Sequence, residues 1–280
     1  GIKEEKAEHQ VMVQYSAVLQ RRQEVRISVR SNIQLEDLER ISLLGEGQFG
    51  EVWLVAADVL QTGVKQKFAL KSQFKLDGIR NDATLAIQQE IQMIQAMHHT
   101  GIADLVTTYD DETSIHMLMG LITGGELWDM IHKEDDDGNW RSGLAEDPAK
   151  FYCLLVANTL AYMHSQMYVF RDLNPENVMI DAEGYPVIVD FGFAKHCLDN
   201  RKTHTFCGTP NYVAPEIVKN VGHNSGADDW ALGVMLYEMI CGENPFYFDG
   251  MEQIALFEAI CHEKYYSFTT EPSKELIDLV

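Results

Sequence analysis

Residues 170–177 read Phe170-Arg171-Asp172-Leu173-Asn174-Pro175-Glu176-Asn177, and Asp190-Phe191-Gly192 follows thirteen residues after Asn177. Two short strands are expected to frame 168–190. The chemistry of the segment lies in its oxygen donors. Asp190 and Asn177 are hard ligands suited to a divalent cation such as Mg2+, and Asp172 can accept a hydrogen bond from a hydroxyl and orient it for attack.

Upstream, the pattern from Leu38 to Lys71 reads as strands: an apolar run ending LLGEGQFGEVWLV, a loop at QTGVKQ, then FALK, whose last residue is Lys71. Within it lie Gly45, Glu46, Gly47, Gln48, Phe49 and Gly50, preceded and followed by strand. Glycines placed this way let a hairpin backbone lie close over phosphates and offer its N–H groups. A dinucleotide-binding turn would have the same glycines open a helix, and EVWLV reads as a strand. Ala83, Ile87, Ile91, Ile94 and Met97 recur at three- and four-residue intervals, which predicts a helix over about 83–97. Glu90 lies on that helix, nineteen residues after Lys71. Singly, such a lysine and glutamate are ordinarily solvated surface charges; as a pair they can hold an ammonium against phosphates.

After His116 the pattern becomes mostly helical. GGELWDMIHK leads through the acidic stretch EDDDGNW to a long helix expected at Asp147-Pro148, with Asp147 as cap and Pro148 at the first helical position. Another helix is expected from near Asp228 through WALGVMLYEMI. A strand-rich part followed by a helix-rich part predicts two lobes with a cleft between them.

Taken in order, the glycine hairpin, Lys71, Glu90, Asp172 and Asn177, Asp190-Phe191-Gly192 and Ala214-Pro215-Glu216 resemble the signature of eukaryotic protein kinases. TFCGTPNYVAPE (205–216), DFGFAK (190–195) and GGELW (124–128) are similar to the cyclic-nucleotide-dependent branch of the AGC group, above all to cyclic-GMP-dependent kinases. The resemblance covers about 39–280 and implies an α+β, bilobal protein-kinase fold. It divides the chain into an extension or linker at 1–38, an N-lobe at 39–119 and an incomplete C-lobe at 120–280. It implies a serine/threonine kinase using ATP and Mg2+, with Asp172, Lys71, Glu90 and Thr209 as catalytic residues and Asn177 and Asp190 as metal ligands. Nucleotide contacts would come from Leu44, the hairpin residues 45–50, Val52, Ala69, Lys71, Met119 and the backbone of Gly120 and Ile122. Thr205 would be an activation-loop phosphosite paired with Arg171 and Lys195, and Asp228 would anchor the catalytic loop. Glu126, Glu176 and Glu238 would recognise arginines of a basic protein substrate. Ile94, Leu105, Phe170 and Phe191 match the family's apolar stack.

The sequence also departs from the family pattern. Asn174 replaces the lysine expected to touch the transferring phosphate, and loss of one preorganised donor costs about a hundredfold to a thousandfold in other enzymes. The chain stops at Val280, where the resemblance implies further helices and the arginine that pairs with Glu216. These departures support an alternative reading, a pseudokinase-like scaffold. No cyclic-nucleotide-binding domain fits in 1–38, so any such sensor would be a segment or subunit outside this chain. RRQEVRISVRS, with Arg21, Arg22, Arg26 and Arg30, suggests Ser28 or Ser31 as an in-cis substrate, against the plainer reading of a solvated linker.

Composition bounds the rest. Forty-three acidic against twenty-two basic side chains give a formal charge of −21, which disfavours a nucleic-acid partner and suits a basic peptide. No run approaches the roughly 18 apolar residues of a membrane span, and the charged start lacks the apolar core of a signal peptide. Five cysteines without CxxC spacing are expected to be reduced thiols, with no zinc site. A soluble, cytoplasmic location follows as the expectation.

Overall fold

The computed structural model describes residues 33–47, 50–59, 62–75, 80–134, 140–197, 202–262 and 273. The arginine cluster at 21–30, Ser28, Ser31, Gln48, Phe49 and the acidic residues 135–137 lie outside the described residues. The chain divides into two units, Gly1–Leu121 and Ile122–Val280.

The first unit carries an antiparallel five-stranded sheet in the order β1-β2-β3-β5-β4. Its strands are β1 (Glu39–Gly47), β2 (Gly50–Ala57), β3 (Gln66–Phe74), β4 (Leu105–Asp110) and β5 (Ser114–Gly120). Along β3 burial alternates, with Phe68, Leu70 and Ser72 on the buried face, which is the period of two of a strand packed on one side. Phe68 and Leu70 join Ile33, Val55, Ala57 and Leu118 in one apolar cluster. Lys71 was expected to end its strand; β3 continues three residues further, because alternation persists to Ser72. Lys71 therefore sits in mid-strand. Helix α1 (Arg80–Ala96) buries Ile87, Glu90, Met93 and Ile94, and Met97 just past its end is buried too. Its stripe has helical spacing, and a carboxylate lies within it.

The second unit is mostly helical. It contains α2 (Leu127–Ile131), the hairpin β6 (His132–Glu134) and β7 (Trp140–Ser142), α3 (Glu146–Ser165), and short strands β8 (Tyr168–Val169), β9 (Val178–Ile180), β10 (Pro186–Ile188) and β11 (Lys195–His196). Helices α4 (Pro215–Val218), α5 (Gly226–Cys241) and α6 (Gln253–Cys261) follow. Strand β9 pairs with β10, and β8 with β11, both antiparallel. The start of α3 differs from expectation: Ala145, not Asp147, is the N-cap, and no side chain caps the helix. Glu146 instead pairs with Lys150 one turn on, at 2.6 Å, so the acid at the helix start acts through the side-chain pair and the dipole. Helix α5 is apolar nearly all round and buried accordingly. It ends at Gly242, whose φ of 70° is the left-handed cap that glycine takes without a Cβ penalty.

The charge buried deepest in this unit is Asp228, 0% exposed. Its Oδ2 accepts from the Phe170 amide at 2.9 Å and Oδ1 from the Arg171 amide at 2.7 Å. His164 Nε2 lies 2.7 Å from Oδ2. The start of the 170–177 segment is thereby fixed to α5 and α3. Among the described residues no helix is long and apolar enough to cross a membrane, and all five cysteines are free.

Replacing Asp228 with alanine leaves two buried amides without acceptors. At about 1–3 kcal/mol for each orphaned group, Asp228→Ala should lower unfolding stability by roughly 3 kcal/mol or more, read as a lower urea midpoint at unchanged slope. An unchanged midpoint would refute the anchoring role.

Candidate active site

In the first unit, the registers of β2, β3 and β5 align Val52 with Lys71 and Met117, and Leu54 with Ala69 and Met119. Directly paired residues share a face, so Val52, Ala69, Lys71 and Met119 lie on one side of the sheet, opposite Phe68 and Leu70. Lys71 Nζ donates to Glu90 Oε1 at 2.9 Å, with the glutamate side chain only 3% exposed and the lysine 23%. Gln73 Nε2 is 3.4 Å from the other carboxylate oxygen. Glu90 is thus held from β3 on both oxygens, which fixes where the ammonium stands.

The glycines differ in their cause. A Cβ on Gly50 would fall 2.0 Å from the Ser72 carbonyl oxygen, so packing on β3 alone requires glycine there. A Cβ on Gly45 or Gly47 would meet nothing within 4 Å. The protein's own contacts do not require glycine at those two positions; close approach by a bound group would. Leu44, on the same strand, is half-exposed. Gly120 N–H donates to the Asp104 carbonyl at 2.9 Å, so that N–H is already engaged within the protein.

In the second unit, Asp172 is enclosed by donors. Its Oδ1 accepts from Thr209 N and Thr209 Oγ1, both at 2.7 Å. Asn177 Nδ2 donates to Asp172 Oδ2 at 2.9 Å and to the Asp172 carbonyl at 2.8 Å. Burial pushes the Asp172 carboxyl up from its ordinary value and Asp190 adds to the rise, against the hydrogen bonds from Thr209 and Asn177. With its amide nitrogen so used, Asn177 keeps Oδ1 as an acceptor. Asp190 is exposed, in the left-handed region at φ 57°, and its Oδ1 accepts from Gly192 N at 3.3 Å. Asn177 and Asp190 fit a Mg2+ ion by donor type. Among the described residues no group of three or more His, Cys, Asp or Glu could hold a metal, so such an ion would need its remaining oxygens from phosphates and water.

Asn174 is 3% exposed. Its Oδ1 accepts from the amides of Glu176 at 3.0 Å and Asn177 at 3.1 Å, and its Nδ2 donates to Thr209 Oγ1 at 3.0 Å and the Asp172 carbonyl at 3.1 Å. Sequence reasoning treated the position only as a missing lysine. The usable signal was Asn-Pro-Glu-Asn itself, since asparagine before proline favours a capped turn.

Of the three glutamates, Glu176 and Glu238 line one cavity of about 620 Å3 with Trp128, His132 and Tyr212, and Glu126 is not among its lining residues. Glu126 is raised from its ordinary value by burial, then by Asp129 and Glu176. Glu238 is 5% exposed, accepting from the Tyr212 hydroxyl, with His132 Nε2 at 3.1 Å. Burial, followed by Glu238, pushes the Tyr212 hydroxyl far up. Tyr212 and His132 carried no sequence signal, because residues 26 and 106 positions from Glu238 meet it only through the fold.

In the activation segment Thr205 is exposed. Lys195 Nζ donates to Thr203 Oγ1 at 2.9 Å rather than standing free beside Thr205. Arg171, at φ 72°, donates from Nε to the Phe193 carbonyl at 2.7 Å, and its Nη1 is buried without a hydrogen-bond partner. His223, also buried, is lowered to about 4 by burial and by Arg171. Phe170 and Phe191 meet edge to face at 5.4 Å. Glu216 is partly buried, next to the buried Ala214 and Ile217.

Comparison with known proteins identifies the family. The family model described as protein kinase domain matches residues 38–280. The cGMP-dependent protein kinase, isozyme 1, of Drosophila melanogaster is 39% identical over 215 residues, covering 77% of this chain and 27% of that protein. The human cGMP-dependent protein kinase 2 is 35% identical over 230 residues, covering 82% and 28%. The cAMP-dependent protein kinase catalytic subunit of Arthrobotrys oligospora is 35% identical over 246 residues, covering 88% and 44%. The chain thus spans about a quarter to under half the length of these relatives. With the family model covering 38–280, an ion-paired strand lysine in one unit and an Asp-Asn-Thr cluster in the other, the chain belongs to the protein kinase domain family.

Proposed function

We propose that this chain transfers the γ-phosphoryl group of ATP to serine or threonine hydroxyls of protein substrates. The observation that carries the reading is the Asp172 carboxylate, held by Thr209 and Asn177 on a loop that Asp228 anchors. Asp172 would accept the hydrogen bond of the substrate hydroxyl and aim its oxygen in line. Lys71, fixed by Glu90, would hold α- and β-phosphates, with residues 45–50 covering them and Val52, Ala69 and Met119 lining the adenine side. Asn177 and Asp190 would hold Mg2+, which neutralises charge on the phosphates when bound. The hydrogen bond from Thr209 to Asp172 supports the serine/threonine assignment, and the relatives' names are those of protein kinases.

A basic peptide suits the carboxylates of Glu176 and Glu238 in their shared cavity, and Glu126 nearby would extend the same preference. A cyclic-nucleotide-binding segment or subunit beyond these residues would regulate the domain, as the names of its relatives suggest, and free thiols suit a cytoplasmic setting. Phosphorylated Thr205 would take Arg171 Nη1 as a donor. The pseudokinase alternative rests on Asn174, which supplies no cation at the transferring phosphate.

Radiolabelled ATP with an arginine-containing peptide distinguishes the two readings. Asp172→Ala should lower transfer by about 100-fold to 10,000-fold, and Asp190→Ala should lower transfer and raise the Mg2+ concentration that half-restores it; label incorporation indifferent to both would sink the enzyme reading. In a peptide library the preferred substrates should be enriched in arginine or lysine beside the target residue, and a flat profile would remove the basic preference. Thr205→Ala should reduce kcat by roughly tenfold, the equivalent of about one charge-assisted hydrogen bond, whereas undiminished turnover would exclude Thr205 as the activating site.

A further inference from the structure

Asn174 joins two halves of the reactive loop through the two ends of one side-chain amide. Its oxygen closes the turn at Pro175–Asn177 by accepting the Glu176 and Asn177 amides. The nitrogen reaches across to Thr209, thirty-five residues away, at 3.0 Å. Thr209 Oγ1 donates its own proton to Asp172 Oδ1, so it must accept from elsewhere, and Asn174 Nδ2 is that donor. A chain of hydrogen bonds therefore runs from the turn amides through Asn174 and Thr209 to the carboxylate.

A lysine could not occupy this place in the same way. An ammonium offers donors only, whereas the carboxamide has both a donor and an acceptor end. The side chain is 3% exposed and makes no hydrogen bond to any titratable partner closer than the 3.5 Å contact with Asp172 Oδ1. Its amide is thus committed inward, to the loop and to Thr209.

We propose that Asn174 is a positioning residue: it locks Thr209 against Asp172 and thereby sets the orientation of the carboxylate that receives the substrate hydroxyl. The role rests on the reading of Asp172 given above. It gives Asn174 an internal role in place of the phosphate contact that its amide cannot supply as a cation. Asn174 touches neither nucleotide nor substrate in this role, so removing it should change turnover more than binding.

The test compares the full chain with Asn174→Ala, Asn174→Asp, Thr209→Ala and the Asn174→Ala, Thr209→Ala double variant. Amide hydrogen exchange is measured first, because it reads position without requiring turnover. In Asn174→Ala the amides of Glu176, Asn177 and Thr209 should all exchange faster. Asn174→Asp retains the acceptor and loses the donor, so Glu176 and Asn177 should stay protected while Thr209 loosens. Asn174→Ala should lower kcat by about tenfold, as for loss of one hydrogen bond acting on a charged group, with KM for ATP and for peptide within about threefold. In the Thr209→Ala background the same change should add less than about twofold, since the two residues act as one unit. Unchanged protection of Thr209 in both single variants, or losses in kcat that multiply independently, would overturn the proposal. If neither the chain nor Asp172→Ala transfers phosphate, the kinase reading falls while the exchange pattern still decides the positioning role.

Discussion

The rest of the second unit's chemistry depends on one buried carboxylate. Asp228 lies in the first turn of α5 with no solvent exposure, a position where an ion without partners would cost several kcal/mol. Two backbone amides and His164 satisfy it, and those amides belong to the residues that open the reactive loop. Arg171 adopts a left-handed backbone there, which a non-glycine residue enters at a cost of about 1–3 kcal/mol. A charge-assisted bond from its amide to Asp228 offsets a cost of that order. The strain and the buried charge are therefore one arrangement: each is tolerable because the other is present.

From that anchor the loop distributes carboxylates by a consistent rule. Three buried acids are matched to donors held by regular elements or by the anchored loop: Asp228 to backbone amides, Glu90 to Lys71 across from a helix to a strand, Glu238 to Tyr212 and His132. Asp172 is only partly buried. Its donors are Thr209 and Asn177, both neutral, so they orient the carboxylate without neutralising it. Burial and the neighbouring Asp190 raise its proton affinity, a direction that suits the acceptor role proposed for it. A cationic partner would have pulled the other way.

What the sequence disclosed, and what it concealed, follows from the range of the interactions. The buried α5, the two-residue period of β3 and the stripe of α1 are set by neighbours within a turn or a strand, and their residues announce them. The glycine hairpin and the Asp172, Asn177 and Asp190 spacing were legible for the same reason: local turns fix them. The start of α3 was misplaced because Asp147-Pro148 carries a strong capping signal, yet the helix takes in two further residues through the Glu146–Lys150 pair. Lys71 was placed at a strand end because the apolar residues run out there, while the backbone ladder with β5 continues to Phe74. His132, Tyr212 and His164 were invisible as functional neighbours, since only the assembled helices bring them to Glu238 and Asp228.

Asn174 belongs to both classes, and this explains how it can be misread. Its turn-closing half is local, whereas its bond to Thr209 spans thirty-five residues. Compared with the lysine that the family pattern predicts, the substitution removes a cation and supplies an acceptor that closes the turn. Under the proposed function, phosphate charge would then be met by Lys71 and by an ion held at Asn177 and Asp190. Positioning and charge stabilisation are separable contributions to phosphoryl transfer. The hydrogen bonds around Asp172 come from the neutral groups of Thr209 and Asn177, which suits the first of these contributions.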